Sequence, residues 1–247
     1  SINELKSQLV SKVIINVPLE AEAAQKIATD NDDIVCLFLD VDPYSSVFNV
    51  SFNPADGTRA SVKYLYELGH RDIALLAGPT SSVSAQLRLK SWIETLKGYG
   101  LEPASVIRGN WDAQSGYSGA LQMLRETAQF TAVLVANDQM ALGVLSAFHQ
   151  QQISIPGEKS VIGYDDTYES SFFYPALTTV SLDLDLQGKE AVRRILDSGE
   201  ENAQRMSSIL PARLVVRQST GPKGEKGKNL QALAQQLREI AHQLGDA

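Results

Sequence analysis

Short apolar runs alternate with longer amphipathic segments along most of the chain, at the spacing of strands and helices in an α/β protein. Four of the apolar runs end in a short polar cluster, at Asp40, at Gly78 and Pro79, at Asn137 and Asp138, and at Asp165 and Asp166. In an open parallel sheet the carboxyl ends of the strands form the ligand crevice, so side chains placed there converge on whatever is bound. The pattern therefore predicts a ligand site at these strand ends.

The periodicity predicts strands at 13–17, 34–40, 47–52, 73–77, around Val106, 132–136, 160–163, 178–182 and 210–216. It predicts helices at 2–10, 20–30, 54–68, 83–99, 114–127, 139–151 and 186–197. The order is that of an α/β fold with two doubly wound parallel-sheet lobes. The N-terminal lobe takes residues 1–52 and 183–211, and the C-terminal lobe takes 53–182 and 212–220. Because the chain opens on a helix, we expect the N-terminal lobe to be truncated, without its first strand.

The composition changes beyond residue 220. Residues 221–228 carry three glycines, a proline and three lysines, which is typical of an exposed linker. In 229–247 an apolar heptad stripe follows, formed by Leu230, Leu233, Leu237, Ile240 and Leu244. A helix of this length is marginal alone in water and needs a partner surface, so self-association is predicted; the alternative is docking on its own domain.

The overall composition excludes several classes of function. The chain is 43% hydrophobic and 21% charged, with a net charge of −7, which argues against this segment gripping a phosphate backbone by itself. Its one cysteine, Cys36, lies inside an apolar run, where a buried inert thiol is expected, and no disulfide framework is possible, which favours a cytoplasmic location. No apolar run reaches the roughly 18 residues of a membrane span, and no secretory leader is visible.

Catalysis finds little support in the sequence. His70, His149 and His242 stand in unrelated contexts, and His70, in a helix-to-strand turn, is expected at the surface or in a capping role. There is no zinc-protease motif, paired-cysteine motif or nucleotide-binding glycine loop, so we expect no catalytic residue, no metal and no cofactor.

Three longer motifs resemble a known family. Residues 78–88 (GPTSSVSAQLR), 135–143 (VANDQMALG) and 161–167 (VIGYDDT), with the leucine-heptad tail, are similar to the lac repressor family of bacterial transcriptional regulators, whose cores are periplasmic-binding-protein-like. The resemblance implies a sugar effector, a galactoside or a related compound, bound between the lobes. It implies a homodimer that becomes a tetramer through the tail, and operator DNA bound only by an N-terminal headpiece absent from this segment. Membrane partners are not implied.

The resemblance also assigns residues to roles. It places Asp40, Phe52, Ser84, Arg88, Trp111, Asn137 and Asp165 at ligand-contacting positions. It places Leu142 and Phe173 in the dimer interface, and their alternative role is core packing.

The chemistry of four of these residues suits a sugar, whose hydroxyls both donate and accept hydrogen bonds and whose ring has an apolar face. Asp165 accepts from adjacent hydroxyls, Arg88 offers a fork of donors and Asn137 does both, while Trp111 supplies a stacking face. Each has an ordinary alternative: Asn137 caps the following helix, Arg88 pairs an acid on its own helix, Trp111 belongs to the core and Asp40 holds a turn. Asp138 and Asp166 are better explained as helix-start and turn residues.

Two departures from the family pattern limit the prediction. Where the resemblance predicts a glutamine and a phenylalanine, this chain has Leu182 and Leu184. Loss of an amide changes affinity or selectivity for a sugar hydroxyl by roughly 1–3 kcal/mol, so the sugar itself is not identified. The alternative function is a periplasmic sugar-binding protein of a transport system, which is monomeric and needs no heptad tail.

Overall fold

The computed structural model describes residues 2–127, 129–198 and 207–224. The helices are α1 (Ile2–Ser7), α2 (Ala21–Thr29), α3 (Pro54–Glu67), α4 (Val83–Gly98), α5 (Ala113–Glu126), α6 (Asp138–Gln150) and α7 (Leu184–Asp197), and a 3-10 turn covers Tyr168–Phe172. The strands are β1 (Lys12–Ile15), β2 (Val35–Phe38), β3 (Val50–Phe52), β4 (Ile73–Ala77), β5 (Ser105–Arg108), β6 (Ala132–Val135), β7 (Ser160–Asp165), β8 (Thr178–Leu182), β9 (Ser208–Leu210) and β10 (Ala212–Val215).

The largest sheet has six strands in the order β10-β8-β7-β6-β4-β5. Every residue of β4 and β6 is buried, because helices cover both faces of a parallel sheet. The predicted α/β fold with parallel sheets is confirmed, with one difference: β10 runs antiparallel to β8. β8 leads the chain out of this sheet and β10 brings it back, so the two strands run in opposite directions.

The remaining strands form two small parallel pairs, β1 with β2 and β3 with β9, joined by an isolated bridge between Phe38 and Asn49. The predicted strand 210–216 corresponds to β10, whereas its first residue, Leu210, ends β9 in another sheet, since the chain changes sheet at Pro211. Proline has no N–H to continue a ladder, which explains the break. The lobe boundaries predicted from the sequence stay a prediction.

Helix caps explain where several helices begin. Asn53, the predicted N-cap of α3, accepts a hydrogen bond from the amide of Ala55, with Pro54 in the first turn as predicted. The backbone N–H of Asn53 donates to the carbonyl of Leu210 at 2.9 Å, which connects the start of α3 to the end of β9. The first predicted helix is shorter than expected and ends at Ser7.

Two sequence-based predictions, one about Gly221 and one about His70, are wrong. Gly221, predicted to open an exposed linker, is buried: its amide donates to Ser160 Oγ at 3.1 Å, and its carbonyl lies 2.9 Å from Nε2 of His70. His70 is not at the surface, since it is 2% exposed and also bonds Thr131 Oγ1 at 2.9 Å. The exposed segment begins at Pro222. The predicted linker from residue 225 and the heptad positions Leu230, Leu233, Leu237, Ile240 and Leu244 lie outside the described residues.

Helices α5 and α6 cross at two glycines. A Cβ atom added to Gly143 would lie 1.9 Å from the carbonyl oxygen of Ala113, and one added to Gly116 would lie 2.0 Å from that of Met140. In both cases the nearest atoms belong to the backbone of the other helix, which cannot move aside as a flexible side chain can. Only glycine permits this close approach of the two helix backbones.

We expect G143A to destabilise the protein by about 1–3 kcal/mol or more, because the added methyl forces the two helix backbones apart. The free energy of unfolding from urea denaturation measures this. G188A is the matched control: no atom lies within 4 Å of its Cβ position in α7, so the higher helix propensity of alanine should leave stability unchanged or raised. Equal stability of G143A and the unmodified chain would contradict the tight crossing.

Candidate functional site

A cleft of about 260 Å³ lies where the small sheets meet the large one. Five of the seven predicted ligand residues line it: Asp40, Phe52, Ser84, Arg88 and Asp165. The sequence-based prediction missed further lining residues, namely Asn16, Leu39, Val41, Pro43, Ser51, Pro54, Leu87, Tyr164 and Gln187. Because residues near β2 and β3 and residues of α4 and β7 all line it, the cleft depends on how the sheets are placed relative to one another.

Arg88 is the buried cation of the cleft. It is 8% exposed, and its Cζ lies 3.5 Å from the centroid of the Tyr164 ring. Nη1 donates to the carbonyl of Ala136, at the end of β6, while Nε is buried with no hydrogen-bond partner among the described residues. Arg88 therefore makes no ion pair with an acid on its own helix, and it keeps an unused donor at the cleft.

Two carboxyl groups face the same cleft as this guanidinium. Burial raises the pKa of Asp165 to about 7, although the charge of Arg88 opposes the rise and that of Asp138 adds to it. Burial also raises the pKa of Asp40, again against the opposing charge of Arg88. Because the pKa of Asp165 is about 7, its carboxyl group donates a hydrogen bond when protonated and accepts one when ionised. Both states suit a ligand rich in hydroxyl groups.

Asp165, the last residue of β7, lines the cleft from a left-handed backbone conformation. Asp165 has φ 110° and Asp166 has φ 58°, so two successive non-glycine residues are left-handed. Asp166 pairs with Arg217 at 2.6 Å, and the fully buried Asp138 accepts from the amide of Thr167 at 2.9 Å. Asp138 lies in the first turn of α6 and Asp166 in the turn after β7, as the sequence indicates, but their carboxylates bond to other elements and not to the helix start.

Asn137 and Trp111 do not line the cleft. Asn137 Oδ1 caps α6 by accepting from the amide of Met140, and Nδ2 donates to the carbonyl of Trp111, each at 2.9 Å. The Trp111 ring packs directly over Gly78, where an added Cβ would lie 2.4 Å from its Cη2 atom. Their ordinary alternatives, helix capping and core packing, describe these contacts, and a ligand role for either residue stays a prediction.

Sequence signals for the missed residues are weak. Tyr164 belongs to the Gly-Tyr-Asp-Asp motif, but nothing local shows that its ring lies under Arg88. Gln187 Nε2 donates to the carbonyl of Val50 at 2.8 Å, across a separation of 137 residues. Leu182 and Leu184, the two departures from the family pattern, both line the cleft. With Leu39 and Phe52 they add to the apolar part of its lining.

The predicted dimer-interface residues differ in exposure. Leu142 on α6 is 38% exposed, whereas Phe173 is partly buried against the main core. Beside Phe173, the exposed rings of Tyr168 and Phe172 contact each other, with their centroids 5.3 Å apart, and Tyr174 is 93% exposed. Phe173 therefore lies beside exposed aromatic rings, and an interface role for Leu142 and Phe173 stays a prediction.

Two further observations concern the described part of the chain. Within residues 2–127, 129–198 and 207–224, no three His, Cys, Asp or Glu side chains are grouped so that they could hold a metal ion. None of the helices in these ranges is long and apolar enough to cross a bilayer.

The fold and the cleft define a periplasmic binding protein-like class of protein. The family described as "Periplasmic binding protein-like domain" matches residues 62–220. The chain is 45% identical to the lactose operon repressor of Klebsiella pneumoniae over 98% of its length and 68% of that protein. It is 40% identical to the lactose operon repressor of Escherichia coli K12 over 99% of its length and 68% of that protein. The chain belongs to the lactose operon repressor family.

Solved structures of the same family agree with the fold. The lac repressor dimer bound to operator and the anti-inducer ONPF matches with a TM-score of 0.86 and 41% identity, covering 89% of this chain and 77% of that one. The lac repressor bound to ONPG in the repressed state matches with a TM-score of 0.85 and 42% identity, covering 89% and 67%. These relatives are transcriptional repressors, which favours the repressor interpretation over the transport alternative.

We expect D165N to make the protein more stable at pH 8 and to flatten its stability between about pH 4 and pH 7. Because folding raises the pKa of Asp165 from 3.8 to about 7, the folded state binds more protons in this range, and stability falls as pH rises through it. The difference at pH 8 is of the order of 1–4 kcal/mol, read from urea denaturation at a series of pH values.

D33N is the control for this prediction. Lys6 lowers the pKa of the exposed Asp33, whereas burial raises the pKa of Asp165. Removal of the Asp33 carboxylate should therefore not raise stability at pH 8. Parallel pH profiles for D165N and the unmodified chain would contradict the burial of an ionisable Asp165.

Proposed function

We propose that this chain is the sugar-binding and oligomerisation core of a lactose-type transcriptional repressor acting in the cytoplasm. The observation that carries the proposal is that Arg88, Asp165 and Asp40 all line one cleft. Together they offer guanidinium donors and carboxylate acceptors to the hydroxyl groups of one sugar ring.

The shape and lining of the cleft support a ligand of about monosaccharide size. Its volume of about 260 Å³ lies just below the range of roughly 300–1,000 Å³ that holds drug-sized ligands. Phe52 and Leu184 offer apolar surface to the less polar face of the ring. The relatives of known structure were solved with ONPF and ONPG, and a galactoside or a related sugar is the proposed effector class here. Leu182, which cannot hydrogen-bond a hydroxyl, is the reason to test several sugars.

The proposed mechanism is a population shift. A sugar that contacts both the Asp40 side and the Asp165 side of the cleft favours one arrangement of the two lobes. Operator DNA would be bound by an N-terminal headpiece outside this segment, and the lobe arrangement would set its affinity.

We propose a homodimer through the surface that carries Leu142 and Phe173. The exposed aromatic rings beside Phe173 would be covered in such a dimer. A tetramer would then form through the heptad positions of residues 229–247. The relative with operator and ONPF is described as a dimer, which supports the first of these contacts.

Calorimetric titration with a panel of hexoses and galactosides tests the effector site. We expect R88K to weaken binding of the best sugar by about tenfold or more, ~1.5–3 kcal/mol, because lysine keeps the charge but loses the forked donors and the stacking on Tyr164. K90Q, on the exposed face of the same helix, is the matched control and should bind as the unmodified chain does. Absence of binding for every mono- and disaccharide would refute the proposed function.

Sedimentation velocity tests the two proposed assembly contacts. We expect a tetramer for the chain, a dimer after deletion of 229–247, and a monomer when L142K is added to that deletion, because a charge in an apolar interface is desolvated without a partner. The control is V106K added to the same deletion, because Val106 is a similarly exposed apolar residue on the edge strand β5. This variant should stay dimeric. A monomer in every case would instead favour the transport-protein alternative.

A further inference from the structure

Two successive residues at the end of β7 are left-handed: Asp165, its last residue, at φ 110° and Asp166, which opens the following turn, at φ 58°. Residues other than glycine keep such a conformation only where the surrounding contacts hold it. The Asp165 carboxylate in the cleft therefore depends on whatever fixes Asp166 and Thr167.

Arg217 holds this turn from the side away from the cleft. It lies two residues after β10, and its Nη2 donates to Asp166 Oδ1 at 2.6 Å. Its Nη1 donates to the carbonyl of Leu177, just before β8, at 2.8 Å and to Ser170 Oγ in the 3-10 turn at 3.3 Å. The side chains of Arg217 and Asp166 are only 21% and 19% exposed, so this charge-assisted pair is shielded from water.

Asp138 holds the next residue of the same turn. Its Oδ2 accepts from the amide of Thr167 at 2.9 Å, and its Oδ1 accepts from Thr179 Oγ1 at 2.6 Å. With the amide of Thr167 fixed on one side and the carboxylate of Asp166 on the other, the backbone of the turn has little freedom to relax. Arg217 is not among the residues that line the cleft, so any effect on a ligand must pass through the turn.

We propose that Arg217 is a positioning residue for the effector site: its ion pair with Asp166 keeps the left-handed turn in place and so directs the Asp165 carboxylate into the cleft beside Arg88. The part that concerns ligand affinity rests on the proposed function. The part that concerns the placement of Asp165 does not depend on any ligand.

The placement of Asp165 can be followed in the ligand-free protein through the NMR titration of its carboxyl carbon. Burial is the main cause of its raised pKa, and the other charges acting on it are those of Arg88 and Asp138. The cleft also holds Asp40 and Tyr164, and the substitutions below remove none of these four groups. If R217Q lets the carboxyl swing into water, the pKa of Asp165 falls toward its ordinary value. Loss of a neighbouring positive charge alone would instead raise it, so the sign of the change separates the two effects.

The experiment compares the unmodified chain with R217Q, R217K, D166N and the control K223Q. K223Q removes another cation of the same C-terminal segment, one that pairs with Asp72 at the surface. We expect R217Q to lower the midpoint of the Asp165 titration by about one pH unit and to weaken sugar binding about tenfold. R217K and D166N should lie between R217Q and the unmodified chain, and K223Q should match the unmodified chain.

Several outcomes would overturn the proposal. If R217Q lowers only the melting temperature, with an unchanged titration and unchanged affinity, Arg217 is merely a structural link between β8 and β10. A rise in the titration midpoint would show a direct charge effect in place of positioning. Should R217Q fail to fold, R217K decides by the same criteria. D166N is then judged by sugar affinity alone, because loss of a neighbouring negative charge itself lowers the pKa of Asp165. If the unmodified chain binds no sugar, the proposed function fails, while the titration still decides whether Arg217 places Asp165.

Discussion

The buried guanidinium of Arg88 is the constraint on which the cleft depends. A cation that is 8% exposed has lost most of its hydration, and the structure replaces that water with the face of Tyr164, the carbonyl of Ala136 and the field of two carboxyl groups. These partners lie on different elements, at the ends of β6, β7 and β2. The strand ends must therefore meet at one point, and the polar residues that end the apolar runs become a single site.

Much of the fold could be predicted from the sequence because its signals are local. The N-cap Asn53 followed by Pro54 marks the start of α3, and the apolar runs mark the buried strands β4 and β6. The change of sheet at Pro211 is not visible in the sequence, because the apolar pattern runs through it. The strands that pair on either side of Pro211, β3 and β8, lie far apart in the chain.

The site could be predicted only in part, and the reason is again physical. Asp165 and Arg88 are recognisable by chemistry and by family resemblance, and both line the cleft. Asn137 has the same polar character, but its amide is already used by the cap of α6 and by the carbonyl of Trp111. His70 and Gly221 form a buried hydrogen bond across a separation of 151 residues, which no local pattern encodes. The residue type shows which hydrogen bonds a side chain is able to make. Long-range packing decides whether its donors and acceptors are already used by other parts of the chain.

The chain passes between the large sheet and the small sheets at three places, before Pro54, after Leu182 and at Pro211. Two of these crossings lie on the cleft itself, since Phe52, Pro54, Leu182 and Leu184 belong to its wall. A molecule in this cleft would therefore contact the connections between the sheets as well as the sheets themselves. A substitution at position 182 or 184 would change the surface of the cleft and a connection between the sheets at the same time.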